Sequence, residues 1–130
     1  MKFLLINSTI KRISTGQIMY GIYEFLRAKG HNVIYCYGRD NDPSNDKNLV
    51  KIANNLEVYS HVALSRLTGL QGYYSYIATK KLIGIIDNIR PVVVIIGNLH
   101  GYYVNYKINS TMYIVLISKE IAIIIKRKEL

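Results

Sequence analysis

MKFLLINSTIKRISTGQIMYGIYEFLRAKGHNVIYCYGRD, residues 1 to 40, is the stretch that decides the fold. Phe3 to Ile6 is an unbroken apolar run closed by Asn7 and Ser8, the pattern of a central strand buried on both faces. After a polar loop, Ile18, Ile22, Phe25 and Leu26 recur at helical spacing, with Glu24, Arg27 and Lys29 on the other side, and Gly30 stands where a helix stops. Val33 to Tyr37 supplies a second strand, followed by a turn-rich segment from Gly38 to Asp46 that contains Pro43. Strand, loop, amphipathic helix and strand make half of a nucleotide-binding type α/β unit. The glycine spacing of a dinucleotide fingerprint and the Lys-Ser/Thr of a phosphate loop are both missing, so its function has to be read from other loop residues.

Working outward, Asn48 to Leu67 carries Leu49, Ile52, Ala53, Leu56, Val58 and Val62, which suggest two short helices or one interrupted one. Gly69 and Gly72 break that pattern before a second strong helix, whose stripe is Ala78, Leu82, Ile85, Ile86 and Ile89 and whose stop is Pro91. Val92 to Ile96 is another fully apolar strand. This alternation predicts a single α/β domain, a Rossmann-like parallel sheet with flanking helices and right-handed crossovers. Beyond Gly97, Asn98 to Thr111 leaves only about a dozen residues to return the chain for a fourth parallel strand at Met112 to Ile117, the minimum for a crossover. The expected organisation is therefore a domain over 1–108 and an atypical tail over 109–130.

The 130 residues suffice for one modest core. With 17 Lys and Arg against 8 Asp and Glu, the chain has a formal net charge of +9, which favours anionic partners if the charge is used at all. The single Cys36 lies in an apolar run, excludes an intrachain disulfide and fits a reducing, cytoplasmic location. No stretch reaches the roughly 18 to 20 apolar residues of a membrane span. The apolar tail ending in Lys126, Arg127 and Lys128 keeps peripheral contact with the inner membrane face among the expectations. One cysteine and three scattered histidines form no metal constellation, and neither a metal nor a cofactor is expected.

In an open parallel sheet, ligands settle at the carboxyl ends of the strands, so the loops after Ile6, Tyr37 and Ile96 matter most. The first contains Lys11 and Arg12 and delivers Ser14-Thr15-Gly16 to a helix start, an arrangement suited to an anion or sugar hydroxyl. Ser14 or Thr15 can equally serve as the helix cap, and the two roles coexist. In the second loop, Arg39 either meets a phosphate or sits in solvent. The third, Gly97 to Tyr103, offers Asn98, His100 and Gly101. There an imidazole and an amide between glycines are suited to hold hydroxyls or move a proton, although a lone histidine is commonly structural. Tyr73, Tyr74 and Tyr76 beside Lys80 and Lys81 have the composition of a stacking surface. Tyrosines at a helix start more commonly pack their rings and leave the hydroxyls wet, so nucleic acid is not the expected partner.

Three blocks in order, the opening residues 1–39, LSRLTGLQGYYSYIATKKLIGIIDNIRP and NLHGYYVNY, resemble the N-terminal half of bacterial GT-B glycosyltransferases of the retaining, capsular and exopolysaccharide type. The resemblance covers residues 1–108. It implies the acceptor-side lobe of a two-domain enzyme that transfers sugar from a nucleotide-sugar donor to a cell-surface polysaccharide or lipid-linked glycan. It also implies that Ser14-Thr15-Gly16 lies near acceptor and donor phosphates, and that Asn98-Leu99-His100-Gly101 matches the family's Asn-Leu-His-Gly, with His100 the candidate catalytic group. Val92, Ile95 and Gly97 replace the family's usual acidic and histidine positions, which weakens the polar wall of the cleft. After Ile108 the family pattern stops, so the resemblance implies a truncated chain, inactive without a donor-binding domain, its partner surface open to a second polypeptide or to self-association. The alternative expectation is a basic, non-catalytic Rossmann-like module that binds nucleotides, nucleic acid or an anionic membrane surface.

Overall fold

Apolar runs at Lys2–Asn7 (β1), Asn32–Tyr37 (β2) and Val93–Ile96 (β4), together with a short strand at Leu49–Lys51 (β3), pair in parallel in the order β3-β2-β1-β4. The computed structural model describes residues 1–69, 76–98, 114–116 and 122–125, the last two segments as backbone strands. These are β5 (Ile114–Leu116) and β6 (Ala122–Ile125). β6 pairs antiparallel with β4, and β5 pairs antiparallel with β6, extending the sheet to six strands. The strand expected at Met112 to Ile117 therefore exists but is the outermost one and does not lie beside β4. β5 runs in the same direction as β4, with β6 between them, so the chain still crosses over between β4 and β5 and only the step from β5 to β6 is an antiparallel return.

Alternation along the parallel strands divides the core in two. Leu5, Val33, Tyr35 and Tyr37 face helix α1 (Ile13–Ala28), while Leu4, Ile6, Cys36, Val94 and Ile96 face α3 (Tyr76–Ile89). In α1 the inward face is Gly16, Met19 and Tyr23, flanked by Tyr20, Ile22 and Leu26, whereas Ile18 and Phe25 of the expected stripe are exposed. The stripe is rotated because Tyr23 contributes more burial than the aliphatic residues. Its ring meets Tyr35 edge-on at 6.0 Å, and its hydroxyl donates to Asp46 at 2.7 Å. Gly30 takes φ +80 after α1, with its amide on Arg27 O and the His31 amide on Leu26 O, so the helix ends in the paired bonds of a Schellman motif.

The stripe of α3 matches its sequence, with Ala78, Leu82 and Ile86 buried. Between β2 and α3 the helical expectation is corrected. Leu49 to Lys51 is a strand, held to β2 by Tyr35 N to Asn48 O and Ile52 N to Tyr37 O. One continuous helix, α2 (Asn55–Thr68), follows, capped by the Asn54 side chain on the Glu57 amide. Among the described residues no helix is long and apolar enough to cross a membrane.

Candidate functional site

The order β3-β2-β1-β4 reverses at β1, which leads to β2 on one side and borders β4 on the other, and such a reversal opens a crevice at the carboxyl ends of the strands. Asn7 ends β1 at that point and is fully buried. Its side-chain nitrogen donates to Thr9 O at 2.8 Å, and its side-chain oxygen accepts the Asn98 amide at 2.8 Å. Its backbone oxygen accepts the Gly38 amide at 3.3 Å, and the next carbonyl, of Ser8, accepts the Arg39 amide at 2.8 Å. One asparagine thus binds the loop after β1, the loop after β2 and the segment after β4 into a single rim. The sequence marked Asn7 only as a strand end; its position at the close of the first apolar strand is the signal that identifies it.

Gly97 and Gly16 are required by this packing. A Cβ on Gly97 would lie 2.7 Å from Asn7 Oδ1 and 2.8 Å from Met19 Cγ, and one on Gly16 would lie 2.8 Å from Thr9 Oγ1. The first turn of α1 therefore sits directly on the first loop, where Thr9 Oγ1 donates to Arg12 O and the buried Tyr35 hydroxyl donates to Thr9 O. The helix cap is Arg12, in extended conformation and without a side-chain cap bond. Ser14 and Thr15 are the second and third residues of the helix, within its first turn, Ser14 exposed and Thr15 half-buried. Neither hydroxyl is the cap that the sequence allowed.

The cations of the rim have company. Lys11 Nζ lies 3.1 Å from Asp42 Oδ1, and Arg12 lies 3.2 Å from Asp40 Oδ1. Burial of the Asp42 carboxyl acts to raise its pKa, but the hydrogen bond from Ser44 and the Lys11 ammonium outweigh that and hold it below the usual value. Lys11 is shifted the other way: desolvation opposes its charge, yet Asp42 and Tyr20 leave its pKa above normal. Asp40 Oδ2 is buried and, among the described residues, has no hydrogen-bond partner. Among the described residues, three of the four non-glycine residues with positive φ lie here, Lys11 and Asp40 on these two loops and Ile13 at the first position of α1. For the β-branched Ile13 this conformation costs on the order of 1–3 kcal/mol, and such strain concentrates at functional sites.

Ser14, Thr15, Gly16, Lys11, Arg12, Arg39 and Asn98 are thus brought to one rim, while His100 and Gly101 lie outside the described residues. Among the described residues no group of three or more His, Cys, Asp and Glu side chains is placed to hold a metal ion. His31 packs against Phe3 with the rings tilted, at the amino end of the sheet, and His61 is buried in α2, so neither joins the rim. Comparison with protein families, curated proteins and solved structures finds no match to this chain.

Proposed function

We propose that the Asn7 rim is the acceptor-binding edge of a sugar-transferring protein, the chain forming the acceptor-side lobe of a GT-B glycosyltransferase. The observation that supports this reading is the convergence of three loops on Asn7 at the reversal point of the sheet. The rim's chemistry suits hydroxyls better than bare phosphate. Lys11 and Arg12 are each compensated by a carboxylate, Ser14 is exposed, and the buried Asp40 Oδ2 has no hydrogen-bond partner among the described residues. A glycan presents many hydroxyls that both give and accept hydrogen bonds, and mixed carboxylate, amide and hydroxyl groups answer them. Catalysis would need further groups around the transferring sugar, because transfer depends on positioning and charge stabilisation from both sides of a cleft.

Titration with octyl glycosides of glucose, galactose and N-acetylglucosamine, chosen as simple lipid-linked acceptors, tests the reading. At least one binds saturably, and Asp40→Asn or Ser14→Ala weakens it by about tenfold, the equivalent of one lost charged or well-placed hydrogen bond. Absence of saturation with all three, or equal binding by the variants, contradicts it.

A further inference from the structure

The loop between β2 and β3 is held in two different ways along its length. Its ends are fixed through the backbone: the Gly38 and Arg39 amides donate to Asn7 O and Ser8 O at 3.3 and 2.8 Å, and the Leu49 amide donates to Asp46 O at 3.0 Å. Asp46 is fixed again through its carboxylate, which accepts from the Tyr23 hydroxyl at 2.7 Å, from the Asn48 amide at 3.0 Å and from Arg27. The middle is held chiefly by charge. Three successive residues each meet a cation: Asp40 meets Arg12 at 3.2 Å, Asn41 accepts from Lys51 Nζ at 3.0 Å, and Asp42 meets Lys11 at 3.1 Å. The Asp42 backbone also bonds the Tyr37 side chain.

The composition of this middle suits release. Residues 40 to 45 read Asp-Asn-Asp-Pro-Ser-Asn and contain no aliphatic or aromatic side chain to anchor in the core, and Asn41, Pro43, Ser44 and Asn45 are exposed. The side chains of Lys11 and Arg12 are 40% and 75% exposed, so their ion pairs are individually weak and are screened by salt. The closed position also carries a cost. Asp40 Oδ2 is buried with no hydrogen-bond partner among the described residues, and lifting the loop would hydrate it. Asp40 further takes φ +72 where the backbone-fixed start gives way to the charge-held middle, a place for a hinge. Weak contacts that close the loop are thus set against a buried, unanswered oxygen that opens it.

We propose that residues 40–45 form a charge-latched flap on the Asn7 rim. Closed, its two acids occupy Lys11 and Arg12; open, it frees both cations and the Asp40 carboxylate for a ligand at the rim. The flap rests on the reading of the rim only for what the rim receives. The latch itself is tested without a glycoside, so its failure and the failure of glycoside binding are read separately. Backbone amide relaxation of the whole isotopically labelled chain is measured at about 0.01 M and about 1 M NaCl, between which the screening length falls from about 30 Å to about 3 Å. The order parameters of Asn41, Asp42, Ser44 and Asn45 stand near about 0.85 at low salt and drop below about 0.6 at high salt, while β1 and β2 keep the rigid value.

Lys11→Gln combined with Lys51→Gln removes two of the three cations without altering the flap's own sequence, and it produces the same loss of order at low salt. Order parameters that stay high at about 1 M NaCl, or that are already low at about 0.01 M, overturn the latch in the unaltered chain. Release by salt without release in the double variant overturns it too, because the hold then lies elsewhere than on Lys11 and Lys51. A loss of order shared by β1 and β2 reports unfolding of the domain and likewise counts against a flap that moves alone.

Discussion

Lys11 and Arg12 lie against Asp42 and Asp40, whereas Arg39 and Arg66 line a groove to which no described residue contributes a carboxylate. Both pairs belong to a chain with a net charge of +9, and the first is held by carboxylates of the loop after β2. The difference shows why net charge alone does not identify a partner. A cation already compensated by a carboxylate offers directional hydrogen bonding and little open charge. The rim differs from the groove in a further respect: it is tied together by a buried polar residue, while the groove rests on the outer face of one helix.

The largest effect is therefore expected at the knot. Asn7→Ala removes a buried donor and acceptor, takes from the Asn98 amide its Asn7 acceptor and leaves Thr9 O with the Tyr35 hydroxyl alone, and it should lower unfolding free energy in urea by about 2 kcal/mol. Asn7→Asp keeps an acceptor for Asn98 but loses the donor to Thr9, so it should also destabilise. A change within about 0.5 kcal/mol for both would mean that the three loops are held some other way. Gly97→Ala drives a methyl into Asn7 and the fully buried Met19 and should cost about 2 kcal/mol by the same measurement. No loss there would show that the rim is more yielding than its packing.

The pH dependence separates core from rim. Burial pushes the Cys36 thiol and the Tyr35 hydroxyl up to about 12 from ordinary values of 9.0 and 10.0, the first relieved slightly by Lys81 and the second by Asn7. Their neutral forms are favoured in the folded state. The associated stability is complete below pH 9 and is lost as pH rises from there toward about 12. Urea midpoints at rising pH should fall over that window, and Cys36→Ala should delay the onset; a flat alkaline limb would contradict the burial. On the acid side, the amide of Asn48, the Tyr23 hydroxyl and Arg27 hold the Asp46 carboxyl below its usual 3.8. That contribution is present above pH 3.8 and disappears as pH falls through the lower folded value, so Asp46→Asn should flatten the acid limb. The smallest effect belongs to Arg12→Gln: the Arg12 side chain is 75% exposed, and solvent screening of its pair with Asp40 limits the loss to below about 1 kcal/mol.

Much of the parallel framework is legible in the sequence because its signals are local. Phe3 to Ile6, Val33 to Tyr37 and Val92 to Ile96 are apolar runs with turn residues at their ends, and Gly30 and Pro91 mark helix ends directly. The inner face of α1 is less legible. A tyrosine can lie in or out of a core, and Tyr23 goes in because Asp46, 23 positions away, accepts its hydroxyl. Strand β3 is hidden for a similar reason: Leu49 to Lys51 has the composition of a helix turn, and only pairing with Tyr35 to Tyr37 makes it extended. The rim residues Ser14, Thr15, Gly16, Lys11, Arg12, Arg39 and Asn98 follow from the rule that loops at strand carboxyl ends converge. The acids opposite Lys11 and Arg12 could not be read, since Asp40 and Asp42 are distant in sequence and are placed by the fold.

Amide chemical-shift mapping of the isotopically labelled chain, titrated with the octyl glycosides named above, tests the central claim most directly. The account predicts that residues 8–16, 38–42 and 97–98 shift together with one saturation curve, and that Asn7→Asp uncouples them. Shifts confined to one of the three segments, or to other surfaces, would contradict a single rim organised by Asn7.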